Sequence, residues 1–81
     1  MPKISGIVEK DGSPLERAYV RCVGPSGEFV AEEYTSENGA FVFHVAEGGW
    51  TLEVRAAGVE TLSQRIEVSE GADVEANLNV S

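Results

Sequence analysis

Residues 41–56 read FVFHVAEGGWTLEVRA and decide the fold class. Apolar side chains occupy every second position on both sides of Glu47-Gly48-Gly49, which is the spacing of two β-strands that each bury one face. With Glu47-Gly48 as a two-residue turn, these strands are predicted to form an antiparallel hairpin. The predicted register pairs Val45 with Trp50, Phe43 with Leu52 and Phe41 with Val54, all on one face. That face is predicted to be the core, with Trp50 buried between two sheets.

The same alternation continues outward in both directions from this hairpin. Further strands are predicted at about residues 3–10, 17–23, 28–35, 62–68 and 74–80, separated by turns rich in Gly, Pro, Ser, Asn and Asp. The segment 28–35 is predicted to be an exposed edge strand, because its glutamates share both faces with its apolar residues. About seven short strands and no helical segment predict an all-β fold, a two-sheet antiparallel sandwich built as one domain from residues 1–81.

Charge and cysteine content limit the partners that the chain can have. Fourteen acidic residues against six basic ones give a net charge of −8, which repels nucleic-acid phosphates and anionic lipid headgroups. We therefore expect no nucleic-acid partner and no membrane partner. Cys22 is the only cysteine, so no intrachain disulfide can form, and this favours a reducing compartment. Because residues 1–6 carry no apolar signal segment, we expect a cytoplasmic protein if the chain is complete, whereas a piece of a longer secreted protein would show the same features.

A set of short motifs spans almost the whole chain. They are Ser5-Gly6-Ile7-Val8, Asp11-Gly12-Ser13-Pro14-Leu15, Ala18-Tyr19-Val20, TSENGAFVF at residues 35–43, Gly49-Trp50-Thr51-Leu52 and Ala57-Gly58. Together they resemble the carboxypeptidase regulatory-like domain. Within that superfamily, Trp50, the pair Glu28-Phe29 and the short length look most like a stand-alone bacterial family of unknown function. That family is common in actinobacteria and is often encoded beside thiosulfate sulfurtransferases.

The resemblance implies a transthyretin-like (prealbumin-like) sandwich and an accessory role associated with sulfurtransferase systems. It implies no reaction, since the matching residues are turn glycines and inward apolar positions. Related sandwiches that are enzymes use site residues that this chain lacks. Hydroxyisourate hydrolases use several His and Arg and a terminal Tyr-Arg-Gly-Ser motif, and intradiol dioxygenases hold iron with two His and two Tyr. The chain has one histidine and ends in Asn79-Val80-Ser81.

Few side chains are able to carry chemistry. His44 alternates with Phe43 and Val45 and is predicted to point away from the core, near Thr51 and Glu53. One histidine builds neither a typical zinc site nor the usual catalytic triad. We therefore predict a chain that is not an enzyme and has no catalytic residues.

Cofactor and metal sites are also not predicted. Cys22 shares a face with Ala18 and Val20, so its thiol is predicted to be buried, inert and closed to a persulfide donor. The acidic loops around Asp11, Glu16, Glu37 and Glu47 lack the spacing of a calcium loop.

The leading hypothesis is a non-catalytic accessory or protein-interaction module that binds a protein partner or a second copy of itself. The predicted partner surface consists of apolar residues that alternate with the inward ones and so point outward: Ile7, Tyr19, Val23 and Val42. The alternative is a small-ligand or carbohydrate-binding module, for which Tyr19, Phe29 and Tyr34 are the available aromatic side chains. An enzyme of unrecognised type is the third hypothesis.

Overall fold

The computed structural model describes residues 1–81 and contains β-strands but no helix. The strands are β1 (Lys3–Lys10), β2 (Ser13–Pro14), β3 (Tyr19–Val23), β4 (Phe29–Tyr34), β5 (Ala40–His44), β6 (Gly48–Arg55), β7 (Leu62–Val68), β8 (Val74–Glu75) and β9 (Leu78–Val80). No helix long and apolar enough to cross a membrane is present.

The strands form two sheets that face each other across one core. In the first sheet β1 is central, pairing antiparallel with β5 and β2 and parallel with β8 and β9. The second sheet has the order β4-β3-β6-β7 and is antiparallel throughout. The predicted two-sheet, largely antiparallel sandwich is therefore confirmed.

The predicted hairpin between the strands on either side of Glu47-Gly48 is wrong. β5 pairs with β1 in the first sheet, whereas β6 pairs with β3 and β7 in the second. The chain crosses between the sheets at Ala46–Gly48, where Gly48 adopts a φ of +138° that favours glycine. The Trp50 indole N–H donates to the Ala46 carbonyl at 2.9 Å and ties the crossing to β6.

The predicted inward residues of the two strands are nevertheless all buried, and Trp50 is among them. The inner faces of both sheets line the same core, so a period of two marks the same residues in a hairpin and in a crossing between sheets. The core is a single cluster of 16 buried residues: Ile4, Val8, Ala18, Val20, Cys22, Phe41, Phe43, Val45, Trp50, Leu52, Val54, Ile66, Val68, Ala76, Leu78 and Val80.

The last predicted strand is divided into β8 and β9. Between them the Asn77 side chain accepts the Ile7 N–H at 3.1 Å, in place of a backbone carbonyl. The Ala76 N–H donates to the Ser5 carbonyl at 2.7 Å. Here β1 carries Gly6, where an added Cβ would lie 1.8 Å from the Ala76 oxygen. The close approach requires glycine and interrupts the regular ladder.

Candidate interaction surface

The outer face of the second sheet is set by the alternation along β3. Val20 and Cys22 fill the core, so Tyr19, Arg21 and Val23 point to the other side. A register shift between Cys22 and Val23 gives β4 one extra residue, Val30. Such a bulge turns side chains of an edge strand toward solvent.

Exposed apolar side chains are concentrated on β4. Phe29, Val30 and Tyr34 are 51%, 44% and 65% exposed. Together with the half-buried Tyr19 and Val23 on the neighbouring strand, they form what we call the β4 surface. Apolar exposure of this kind, on two adjacent strands, is typical of a binding surface.

Two tyrosines, Tyr19 and Tyr34, form one end of the β4 surface. The rings of Tyr19 and Tyr34 lie 5.4 Å apart between centroids and are tilted by 48°, an arrangement that aromatic pairs favour. The Tyr19 hydroxyl donates to the Glu32 carboxylate, and this hydrogen bond is the main reason that the pKa of Tyr19 is raised. The two rings and Glu32 therefore form one connected group on the outer face.

Arg21 lies at the centre of the same face. Its guanidinium carbon sits 5.2 Å from the centre of the Phe29 ring, within the range of a cation–π contact. Its Nε lies 3.8 Å from Glu53 and makes no hydrogen bond. The arginine therefore lies over one face of the Phe29 ring at the sheet surface.

β4 also carries an unpaired strand edge. It is the outermost strand of its sheet, with β3 on its inner side only. The Thr35 N–H donates to the Ala18 carbonyl, toward β3. Backbone groups alternate in direction along a strand, so the N–H and C=O groups of Glu32 and Tyr34 point to the free edge.

The structure does not bring the four residues of the predicted partner surface together. Ile7 and Val42 lie on the outer face of the first sheet, on β1 and β5, and are 37% and 36% exposed. Tyr19 and Val23 lie on the outer face of the second sheet. The two pairs face opposite sides of the sandwich, and the part of Ile7 and Val42 in binding stays a prediction.

Phe29, Val30 and Tyr34 were not among the residues predicted to bind a partner. The sequence does contain the signal, because its pattern predicts an exposed edge strand at 28–35, and Phe29 and Tyr34 are aromatic residues available for binding. The pairing of β3 with β4, which sets these side chains beside Tyr19, follows from long-range structure and not from the local pattern.

The environment predicted for His44 is wrong. The side chain is exposed as expected, but it lies on β5 opposite Lys3, and not beside Thr51 and Glu53. The reason is again that β5 and β6 belong to different sheets.

The remaining candidate residues lie apart from one another. Cys22 is fully buried, and burial raises the pKa of its thiol to about 11. No group of three or more His, Cys, Asp or Glu side chains is close enough to hold a metal ion. An open depression of about 290 Å³ lies between Pro2 and the two turns that carry Glu47 and Glu70.

Fold and surface together define a class, the small all-β sandwich domain with one exposed aromatic strand edge. Within that class the chain belongs to the family described as "Protein of unknown function (DUF1416)", which matches residues 2–80. The resemblance to a family of unknown function is thereby confirmed.

Relatives in Mycobacterium tuberculosis (strain ATCC 25618 / H37Rv) support this assignment. The uncharacterized proteins Rv0814c and Rv3118 are each 41% identical over 51 residues, covering 63% of this chain and 51% of theirs. The chain thus matches about half the length of these curated relatives.

Solved structures share the fold at low sequence identity. The group B streptococcus pilus 2b backbone protein is similar with a TM-score of 0.82 and 16% identity, covering 98% of this chain and 40% of that one. The Bacillus anthracis TIE protein gives 0.77 and 21%, covering 99% and 16%. Catechol 1,2-dioxygenase from Acinetobacter sp. ADP1 gives 0.72 and 14%, covering 98% and 52%. The same β-sandwich fold is thus present in a pilus backbone protein and in a dioxygenase.

Proposed function

We propose that this chain is a non-catalytic module that binds another protein through the β4 surface. The observation that carries the proposal is the concentration of exposed Phe29, Val30 and Tyr34 beside an unpaired strand edge. Aromatic residues and arginine are enriched in protein interfaces and supply most of their binding energy. Here Arg21 and Tyr19 lie next to the exposed aromatic rings.

Charge supports a protein partner over other macromolecules. The net charge of −8 opposes binding to nucleic acid and to anionic membranes. It also opposes a second copy, because two such chains repel each other. A separate protein with basic side chains around an apolar contact satisfies both the charge and the exposed surface.

The distribution of reactive side chains supports a role without catalysis. Exposed His44 lies on β5 in the first sheet, whereas buried Cys22 lies on β3 in the second. The two side chains therefore do not form a nucleophile and base pair. A buried thiol with a raised pKa also fits a structural residue better than a persulfide carrier.

A sulfurtransferase is the partner that the family resemblance suggests, and a reducing, cytoplasmic compartment agrees with the free Cys22. The proposal therefore includes a test against a thiosulfate sulfurtransferase from the same cell. Binding to such an enzyme through the β4 surface would join the structural proposal to the sulfur-metabolism hypothesis.

The experiment compares proteins captured by the wild-type chain with those captured by surface variants. Phe29→Ser and Tyr34→Ser remove exposed apolar groups from the β4 surface. Gln64→Ser, at an exposed position on the opposite edge strand β7, is the control. We expect one or more proteins to be lost with both β4 variants and kept with the control, and to bind the purified wild-type chain directly. Equal capture by all variants with unchanged thermal melts would refute the proposal.

Carbohydrate binding remains the second candidate, because Tyr19, Phe29 and Tyr34 do share one face. Sugar rings stack on open, flat aromatic surfaces, whereas the two tyrosines are tilted by 48° against each other and Arg21 covers Phe29. Titration of the wild-type chain with a panel of oligosaccharides, followed by NMR, tests this candidate. Saturable shifts of the three aromatic rings would favour it over protein binding.

A further inference from the structure

We propose that the free edge of β4 accepts an extended, basic segment of the partner protein as a fifth strand of the second sheet. This inference rests on the proposed function and names the mode of binding and the chemistry of the segment. Strand addition uses the backbone groups of an exposed edge for affinity and the neighbouring side chains for specificity.

The four outer edges of the sandwich differ in what they offer. β7 is seven residues long, but its exposed side chains are polar, and Arg65 and Glu67 form an ion pair at 2.9 Å. β8 and β9 contain only two and three residues. Neither of these edges carries a large exposed apolar side chain.

β5 is blocked by the chain itself. The Val42 N–H, which points away from β1, donates to the Glu33 carboxylate at 2.9 Å. The Ala40 N–H donates to the Ser36 hydroxyl at 3.2 Å, and the Ala40 carbonyl accepts the Ser36 N–H at 3.1 Å. These contacts occupy the outward N–H groups of Ala40 and Val42, and an added strand would have to displace them.

β4 combines open backbone groups with apolar side chains. The N–H and C=O groups of Glu32 and Tyr34 point to the free edge, two residues apart, as an added strand requires. On the same face Val30 and Tyr34 flank Glu32. An added strand would therefore place one side chain beside Glu32. Its side chains two residues away on each side would lie beside Val30 and Tyr34, where apolar groups are favoured.

The negative charge of β4 favours a positively charged side chain at the position of the added strand that lies beside Glu32. Glu28, Glu32 and Glu33 lie in or next to β4, which carries no basic residue. Glu33 already binds the Val42 N–H, whereas Glu32 accepts the Tyr19 hydroxyl through Oε1 alone, so its second carboxylate oxygen is open at the edge. A lysine or arginine beside Glu32 is favoured, whereas a second copy of β4 would bring glutamates together. Three alternating residues of the partner's segment are thus expected to be apolar, basic and apolar in turn.

A synthetic peptide tests the inference on the intact chain. The probe is acetylated Thr-Val-Thr-Lys-Thr-Val-Thr amide, and its partner probe carries glutamate in place of lysine. We expect saturable binding of the lysine peptide, with slower hydrogen exchange at the Glu32 and Tyr34 amides and no change at Val42. The glutamate peptide is expected to show no measurable binding.

Three variants separate backbone pairing from charge. Glu32→Pro removes the outward N–H, a position at which edge strands tolerate proline, and should abolish binding of the lysine peptide. Glu32→Gln keeps the N–H and should weaken binding by about two- to fivefold, the effect of one exposed ion pair. Glu67→Gln, on β7, is the control and should bind like the wild type. If Glu32→Pro does not fold, hydrogen exchange at the Glu32 and Tyr34 amides of the wild-type chain decides whether the peptide pairs with the strand edge.

Other outcomes overturn the inference and leave the proposed function to its own test. Peptide binding without slower exchange at Glu32 and Tyr34 would show that the face of the sheet binds and the edge does not. No binding of the lysine peptide would reject a basic strand, while capture by Phe29→Ser and Tyr34→Ser still decides whether the β4 surface binds protein. Slower exchange that depends on chain concentration, with a dimer in sedimentation, would make a second copy the occupant.

Discussion

Thr35 is the one buried polar residue of the chain, and its replacement by valine gives the sharpest test of the fold. Its hydroxyl accepts the Ala18 N–H at 2.8 Å and donates to the Leu15 carbonyl at 2.6 Å. The residue therefore fastens the segment before β3 to the end of β4. Valine has nearly the same shape but makes neither hydrogen bond.

The expected cost follows from the groups that lose their partner. Ala18 is fully buried, so its unpaired N–H costs about 1–3 kcal/mol, and the half-buried Leu15 carbonyl costs less because water reaches it. We expect Thr35→Val to lower the free energy of unfolding by about 2–4 kcal/mol, a large part of the stability of a small domain. Thr35→Ser keeps both hydrogen bonds and should cost about 1 kcal/mol for the lost methyl group.

Urea denaturation followed by Trp50 fluorescence and by circular dichroism measures both variants against the wild type. The order wild type, Thr35→Ser, Thr35→Val is expected in the midpoints, with equal slopes. If valine were as stable as threonine, the two hydrogen bonds would contribute nothing, and the account of how β3 is anchored would be wrong.

Three further predictions concern the core. Trp50→Ala should lower the free energy of unfolding by about 3–5 kcal/mol, seen as a loss of the folded baseline in a thermal melt, and a native-like melt would contradict it. Cys22 should react with thiol reagents only after unfolding. Burial raises the pKa of its thiol from 9.0 to about 11, so the contribution of the protonated thiol to stability is complete below pH 9 and is lost as the pH rises toward 11. Gly6→Ala should lower the melting temperature strongly, because its Cβ would overlap the Ala76 carbonyl, whereas Gly49→Ala, whose Cβ meets only the flexible end of the exposed Arg65 side chain, is the control.

The burial of side chains could be predicted from the sequence because it depends on local alternation. Phe41, Phe43, Trp50 and Leu52 are buried as the period of two requires. The pairing of strands could not be predicted in the same way. β5 and β6 look like a hairpin in the sequence, yet each finds its partner in a distant segment, and the decisive contacts, such as Val45 N–H to Pro2, are far apart in the chain.

The binding surface shows the same division. The edge position of β4 was readable, because glutamates on both faces are typical of an edge strand. Which outward residues lie together depends on strand order, so Ile7 and Tyr19 were grouped although they lie on different sheets. Thr35 gave no signal, because a threonine before a turn is common and its two bonds appear only when β3 and β4 are paired.

Within this sandwich β1 is synthesised before every other strand, whereas β9, which pairs with it along Val8–Lys10, is synthesised after all of them. The Lys3 N–H likewise binds Asp73, 70 positions further along the chain. Until these C-terminal residues have left the ribosome, one side of β1 has no partner and the apolar surface that Leu78 covers stays wet. Contacts between such distant segments form slowly. In the nascent chain this apolar surface and the unpaired side of β1 are therefore open to aggregation until the C-terminal strands arrive.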